Sequence, residues 1–132
     1  MSYHVLRSES MDALTILFYY NERALATPND VMVQQLPRAY CVMSDRVMFL
    51  MQLSVPDELQ HQGIGSRLLQ LVAAQARLEG CRRIDVDDMS LRFRALNNIY
   101  KKHGFRYRRD TGPEMYASPA DVISRAALIH GG

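Results

Sequence analysis

The 132-residue chain has only two cysteines, Cys41 and Cys81. They are too few and too far apart for a disulfide framework, and no group of His and Cys has the spacing of zinc ligands. Buried, reduced thiols and no metal site are therefore expected. No stretch reaches about 18 uninterrupted apolar residues, and the opening MSYHVLRSESMDAL lacks a basic region followed by an apolar run and a small-residue cleavage site. These absences predict a cytoplasmic protein with no membrane partner. Repeats and low-complexity segments are missing too, and the net charge of +2 is too small by itself to argue for nucleic acid.

What is present is a globular composition, 48% hydrophobic and 23% charged, in 15.1 kDa. That predicts one domain over residues 1–132, with a soluble core. The small net charge hides a split. Residues 1–65 hold four Lys/Arg against seven Asp/Glu, whereas residues 66–132 hold twelve against seven. Anionic ligands are expected on the second half.

Tyr3 to Arg7 reads as a first strand, ended by Ser8-Glu9-Ser10, where a serine suits a helix start. Leu14, Leu17, Phe18 and Leu25 recur at helical spacing, so 11–25 is expected to be an amphipathic helix ending near Thr27-Pro28-Asn29-Asp30. Three short β-like runs follow: Val31 to Leu36, Arg38 to Met43 and Val47 to Val55, with Ser44-Asp45-Arg46 suited to a tight turn. The last, VMFLMQLSV, is almost wholly apolar and belongs in the middle of a sheet with both faces covered.

After Pro56 the glycine-containing stretch Gln60-His61-Gln62-Gly63-Ile64-Gly65 leads into a helix over 66–79, with Gly80 at its C-terminal cap. A strand at 82–87 and a helix at 91–103 come next, the helix carrying Phe93, Leu96, Ile99 and Tyr100 on one face. Phe105 to Arg109 and Glu114 to Ala117 form a hairpin around Thr111-Gly112-Pro113. Ser118-Pro119 opens a last helix over 120–128. The alternation of strand and helix predicts an α/β fold with a mixed sheet.

A central strand running into a glycine loop that opens a helix suits a phosphate, because the first helical amides lack intrahelical partners and lie at the positive end of the dipole. Two nucleotide motifs fail. Gly-Lys-[Ser/Thr] is absent, and the third glycine of the dinucleotide fingerprint is replaced by Leu68. What matches is Gln/Arg-x-x-Gly-x-Gly/Ala, present as Gln60, Gly63 and Gly65 after Leu53-Ser54-Val55-Pro56. About 35 residues on stands Tyr100-Lys101-Lys102-His103-Gly104-Phe105.

On these motifs the sequence resembles the GNAT N-acetyltransferase superfamily, over residues 38–117. The resemblance implies a mixed, mostly antiparallel central sheet flanked by helices, the acyl-CoA N-acyltransferase fold, with a short C-terminal helix at 119–129. It implies acetyl-CoA as cosubstrate, in a cleft where the strand ending at Val55 splays from the strand at 82–87. Leu53, Ser54 and Val55 would pair with the pantetheine arm, and the amides of His61, Gln62, Gly63, Ile64, Gly65 and Ser66 would hold the pyrophosphate. Gln60 belongs to the same loop; Arg67, Lys101 and Lys102 would approach the remaining phosphate.

Acetyl transfer to an amine needs a neutral amine, stabilisation of the oxyanion and a proton for the departing thiolate. By the resemblance Tyr100 supplies that proton and a backbone amide near Val55 holds the oxyanion. An alkylammonium with a pKa near 10 must first lose its proton. Asp88, twelve residues before Tyr100, matches the base of some relatives, whereas aligning the strands by their apolar residues favours Asp85; Asp87 lies between them. Two positions depart from the pattern. Phe93 stands where relatives often carry a cofactor-contacting asparagine, with Asn97 and Asn98 shifted along the helix and Asn98 expected to take the cofactor contact, and Gln52 is the nearest polar residue to a position often held by glutamate. The expected activity is acetyl transfer to a primary amine of a small molecule, peptide or protein. A non-catalytic acyl-CoA-binding regulator working through a protein partner is the alternative. Arginines at 82, 83, 92, 94, 106, 108 and 109 leave a nucleic-acid partner open, and the terminal helix could pack on the core or on a second copy in a homodimer.

Overall fold

A computed structural model describes residues 2–11, 13–21, 30–89 and 98–129. Seven strands form one sheet: β1 (Tyr3–Glu9), β2 (Leu14–Tyr20), β3 (Arg38–Ser44), β4 (Val47–Ser54), β5 (Arg83–Asp87), β6 (Arg106–Tyr107) and β7 (Glu114–Ala117). Their order across the sheet is β1-β2-β3-β4-β5-β7-β6. Every pairing is antiparallel except β4 with β5, which is parallel and needs a crossover. That crossover is α2 (Ile64–Leu78), and the other helices are α1 (Asp30–Val33), α3 (Ile99–Lys102) and α4 (Pro119–Ile129). The expected mixed, mostly antiparallel sheet with flanking helices is the fold observed.

The core lies between one face of the sheet and α2. Ile16, Cys41, Met48, Leu50 and Ile84 from the strands meet Leu68, Leu69, Val72 and Ala76 from the helix. Burying these side chains at about 25 cal/mol per Å2 of apolar surface is what holds α2 to the sheet. Val122 and Ala126 of α4 are fully buried and α4 packs beside α2. Ser118 accepts the Asp121 amide at 3.1 Å, so the serine cap and the proline in the first turn start α4 as the sequence predicts. Asp45 and Arg46 both take positive φ, the two-residue turn that matches strand twist between β3 and β4.

β4 is central in the sheet, but it exposes Phe49 and Met51 where cover on both faces is expected, because α2 packs on the side of Met48 and Leu50. Three expected elements are corrected as well. Residues 14–20 form β2 in place of a helix. Leu14, Ile16 and Phe18 are all buried, a period of two that coexists with the helical spacing of Leu14, Leu17 and Phe18. The β-branched and aromatic run Thr15, Ile16, Phe18, Tyr19, Tyr20 decides in favour of the strand. Ser10 closes the β1–β2 turn, its amide bonding the Ala13 carbonyl at 2.9 Å, where a helix cap was expected. Residues 22–25 of that expected helix lie outside the described residues.

The run at 31–36, expected as a strand, is α1 and a turn. Val33 and Leu36, three apart, are buried together against Tyr19 and Leu17, and the Leu36 amide bonds the Val33 carbonyl at 3.0 Å. Finally, the helix expected over 91–103 is described only from Ile99. Asn98 is extended, with φ −60 and ψ 135, and residues 90–97 lie outside the described residues.

Candidate active site

The sheet opens at its centre. β4 and β5 are paired from Val47 opposite Arg83 to Leu50 opposite Val86, and no further. Beyond that point β5 stays with β7, through Asp87 opposite Glu114, while β4 stays with β3. The cause is local. Cys41 pairs with Leu50 and Tyr40 with Gln52, so Met51 is one residue too many on β4, a bulge that bends the strand away from its parallel neighbour. Among the described residues, Met51 to Ser54 therefore have no ladder partner on the β5 side, and the backbone groups on that edge face the gap while the others meet β3.

The loop after β4 delivers the chain to the start of α2. Pro56 precedes a single 3-10 turn, Asp57–Leu59, and His61 and Gly63 both take positive φ, 65° and 81°. Gln60 braces the turn, donating from Nε2 to the Val55 carbonyl at 3.1 Å and to Asp57 Oδ1 at 3.2 Å. Gln62 donates to the Glu58 carbonyl at 3.4 Å. These two side chains hold the loop itself. Gly63 caps α2 without a side chain, and the first intrahelical bond runs from the Arg67 amide to the Gly63 carbonyl. The amides of Ile64, Gly65 and Ser66 thus emerge at the positive end of a 15-residue helix with no side-chain cap. Gly65 is a contact position: a Cβ there would stand 3.0 Å from Ile99 Cδ1 and 3.7 Å from Val55 Cγ2, so its lack of a side chain lets α2 approach α3. Arg67 points its guanidinium to Gln70, at 2.7 Å.

Across the gap, the end of β5 and the tyrosine turn meet in a buried polar cluster. Asp88 is 2% exposed. Its Oδ2 accepts from Asn98 Nδ2 at 2.8 Å and from the Tyr107 hydroxyl at 2.6 Å. Asn98, expected at the cofactor, is 1% exposed and engaged at both ends of its amide. While Nδ2 reaches Asp88, Oδ1 accepts the amides of Tyr100 at 2.8 Å and Lys101 at 3.4 Å as the cap of α3.

The Tyr-x-x-x-Gly-Phe segment is a helix stop. The Phe105 amide bonds the Tyr100 carbonyl and the Gly104 amide bonds the Lys101 carbonyl, with Gly104 at φ 89°. The rings of Tyr100 and Phe105 meet edge-on at 5.7 Å. This is the paired-bond left-handed cap with its apolar contact, and it fixes where Tyr100 points. Tyr100 is 7% exposed, and burial, with the Asp88 charge adding, pushes its hydroxyl up to about 12. It stays protonated at neutral pH and so has a proton to donate.

Asp85 is placed elsewhere. It lies in the part of β5 still paired with β4, opposite Phe49, and is held by Arg83 at 2.9 Å and by Arg108 at 3.2 Å to both oxygens. The structure thus brings Tyr100, Asp88 and Asn98 together and sets Asp85 below the split. Tyr107 was missed by the sequence reading. Its signal is that it follows Phe105 by two, so an aromatic with a polar tip occupies the inward side of the Gly-Phe strand.

A mixed sheet split between its two parallel strands, with an uncapped helix start beside the gap, defines the acyl-CoA N-acyltransferase class of folds. The chain belongs to the GNAT acetyltransferase family, whose acetyltransferase (GNAT) domain model matches residues 24–107. No curated protein matches it significantly. Solved structures share the fold at low identity. An acetyltransferase from Bacillus cereus is 24% identical with a TM-score of 0.52, over 79% of this chain and 69% of that one. The paia N-acetyltransferase of Thermoplasma acidophilum, in complex with coenzyme A, is 18% identical with a TM-score of 0.54, over 81% and 61%. A structure of the NatC complex bound to Gag peptide and CoA matches at 18% identity and a TM-score of 0.57, over 79% and 70%.

Proposed function

We propose that this chain transfers the acetyl group of acetyl-CoA to a primary amine of a small molecule, peptide or protein. The observation that carries the reading is the open β4 edge from Met51 to Ser54 beside the uncapped start of α2. A strand edge with free amides and carbonyls suits the amide-bearing pantetheine arm, at Leu53, Ser54 and Val55. The backbone of His61 to Ser66 suits a pyrophosphate, with Arg67 in the first turn. Two of the structural neighbours are complexes with coenzyme A, which supports the same assignment.

When bound, the cosubstrate supplies an acetyl thioester, which an amine can attack once it is neutral. The chain's residues then have three tasks. A backbone amide at the Val55 end of β4 holds the developing charge on the carbonyl oxygen. Tyr100, protonated because its hydroxyl is pushed up to about 12, gives a proton to the departing sulfur. Asp88, just past β5 on the open side of the split, accepts the proton of the ammonium through water. Asp85 keeps Arg83 and Arg108 in place.

The test is to follow free thiol while the purified protein is incubated with acetyl-CoA and a panel of amines, with CoA binding measured by calorimetry. Thiol release with at least one amine, well above hydrolysis, is expected. Binding with no release from any amine would favour the acyl-CoA-binding regulator, and absence of binding would overturn both.

A further inference from the structure

Two side chains, one from the α3 cap and one from β6, donate to Asp88, and neither has a part in the scheme above. Tyr107 leaves β6, places its hydroxyl 2.6 Å from Asp88 Oδ2, and carries the Lys101 ammonium 5.5 Å from its ring centroid. Lys101 belongs to the same α3 turn as Tyr100, and Asn98 caps that turn while donating to the same Oδ2. The result is a closed path from Asp88 to Asn98 to the tyrosine turn, then to Lys101, Tyr107 and back to Asp88.

We propose that Tyr107 is a positioning residue for Asp88: its hydroxyl and the Asn98 amide together fix the carboxylate through Oδ2, and Lys101, over the phenol ring, holds that ring in its pose. The inference rests on the reading of Asp88 as the base. A hydroxyl that donates to a carboxylate favours its charged form and is stronger than a bond between neutral groups. Of the two donors, the tyrosine alone is seated on a strand beyond the helix cap, so it is the one that ties the base to the sheet. The titratable and charged groups on the described elements around Asp88 are Tyr100, Lys101 and Lys102 on α3 with His103 at its end, Arg106 and Tyr107 on β6, Arg83, Asp85 and Asp87 on β5, and Glu114 and Tyr116 on β7. Lys101 reaches the cluster through the Tyr107 ring, so the direct contacts shown on the carboxylate are the Tyr107 and Asn98 hydrogen bonds.

The experiment compares Tyr107→Phe with the unaltered protein, since phenylalanine keeps the ring against Lys101 and removes only the donor. The Asp88 carboxyl is titrated by NMR with carbon-13-labelled aspartate, a readout that needs no acceptor amine. Its midpoint is expected to rise by about one pH unit, a value set by losing a hydrogen bond to a charged group. With the most active amine of the panel, the acid limb of thiol release moves up by the same amount, about a tenfold loss on that limb and little on the plateau. An unchanged Asp88 midpoint overturns the inference. Asp88→Asn separates the two claims: if it retains full thiol release, the base reading fails and Tyr107 positions no base. If it is inactive while Tyr107→Phe keeps the unaltered midpoint and profile, only the inference fails. Should Tyr107→Phe not fold, 3-fluorotyrosine placed at position 107, a stronger donor, must lower the Asp88 midpoint; no change there is equally fatal.

Discussion

Asn98 joins the helix cap and the buried carboxylate, so replacing it tests whether the candidate site is held together as described. Asn98→Ala removes a cap, which costs about 1 kcal/mol. It also removes the 2.8 Å bond to Asp88 in a place where both residues are almost fully buried. A hydrogen bond to a charged group contributes about 1.5–3 kcal/mol. Together the loss is about 3 kcal/mol, a large share of the roughly 5–15 kcal/mol that stabilises an ordinary domain. For 132 residues, with an unfolding entropy of about 2.1 cal/mol/K per residue, that corresponds to a fall in Tm of about 10 °C.

Two companions divide the loss. Asn98→Ser keeps an oxygen for the Tyr100 amide and gives up the reach to Asp88, so it should fall about 1 kcal/mol short of the alanine loss. Asn98→Asp also keeps the cap but sets a second carboxylate against Asp88. It should be the least stable of the three at pH 7 and recover relative to alanine as the pH falls toward about 4, because like charges raise one carboxyl of the pair above its free value and it takes up a proton in that window. Urea unfolding of the four proteins at pH 7 and pH 4 measures all of this. Asn98→Ala within 0.5 kcal/mol of the unaltered protein, or Asn98→Ser equal to it, would refute the cluster.

The two aspartates should separate in activity. Asp85→Asn loses partly exposed ion pairs to Arg83 and Arg108 and should cost under about 1 kcal/mol with thiol release retained, whereas Asp88→Asn abolishes it; equal losses in a thiol-release assay would contradict the assignment. Alkaline stability should depend on Cys41, which is fully buried and whose thiol burial pushes from 9.0 to about 12. The unfolded thiol ionises from pH 9 while the native one keeps its proton, so stability is intact below pH 9 and is lost toward pH 12. Between pH 9 and 10 the unaltered protein should lose about 1 kcal/mol more than Cys41→Ala, and parallel urea midpoints would count against it. Gly104→Ala must place a side chain at φ 89° and bring its Cβ to 3.4 Å from that of Asp121. A cost of about 2 kcal/mol in urea unfolding is expected, and a neutral result would mean the tyrosine turn does not need its left-handed stop.

What could be read from the sequence follows the range of the interactions involved. The α2 stripe, the Ser118 cap and the Asp45-Arg46 turn are set by neighbours within a few residues, and each is found where the pattern puts it. The segment 14–20 was misread because Leu14, Ile16, Leu17 and Phe18 satisfy a period of two and a period of 3.6 together, and only pairing with β1 and β3 selects one. α1 was misread for the opposite reason: Val33 and Leu36 are buried by Tyr19, a partner that depends on β2 being a strand. One error in period thus carried into the next element.

The candidate site divides in the same way. Its loop is a local object, and Gln60, Gly63 and Gly65 announce it. Yet the structure gives Gln60 the task of bracing the turn, and Gly65 that of letting Ile99 approach, so the proposed phosphate contacts are left to backbone amides, which no side-chain pattern marks. The split is also backbone, a single extra residue at Met51 that no motif marks. Asp88, Asn98 and Tyr107 are spread over 19 residues and come together only because β5, the α3 cap and β6 end at one place. Sequence spacing could put Asp88 and Tyr100 on a list. Only the sheet order, with β7 between β5 and β6, brings the Tyr107 hydroxyl back across to the carboxylate.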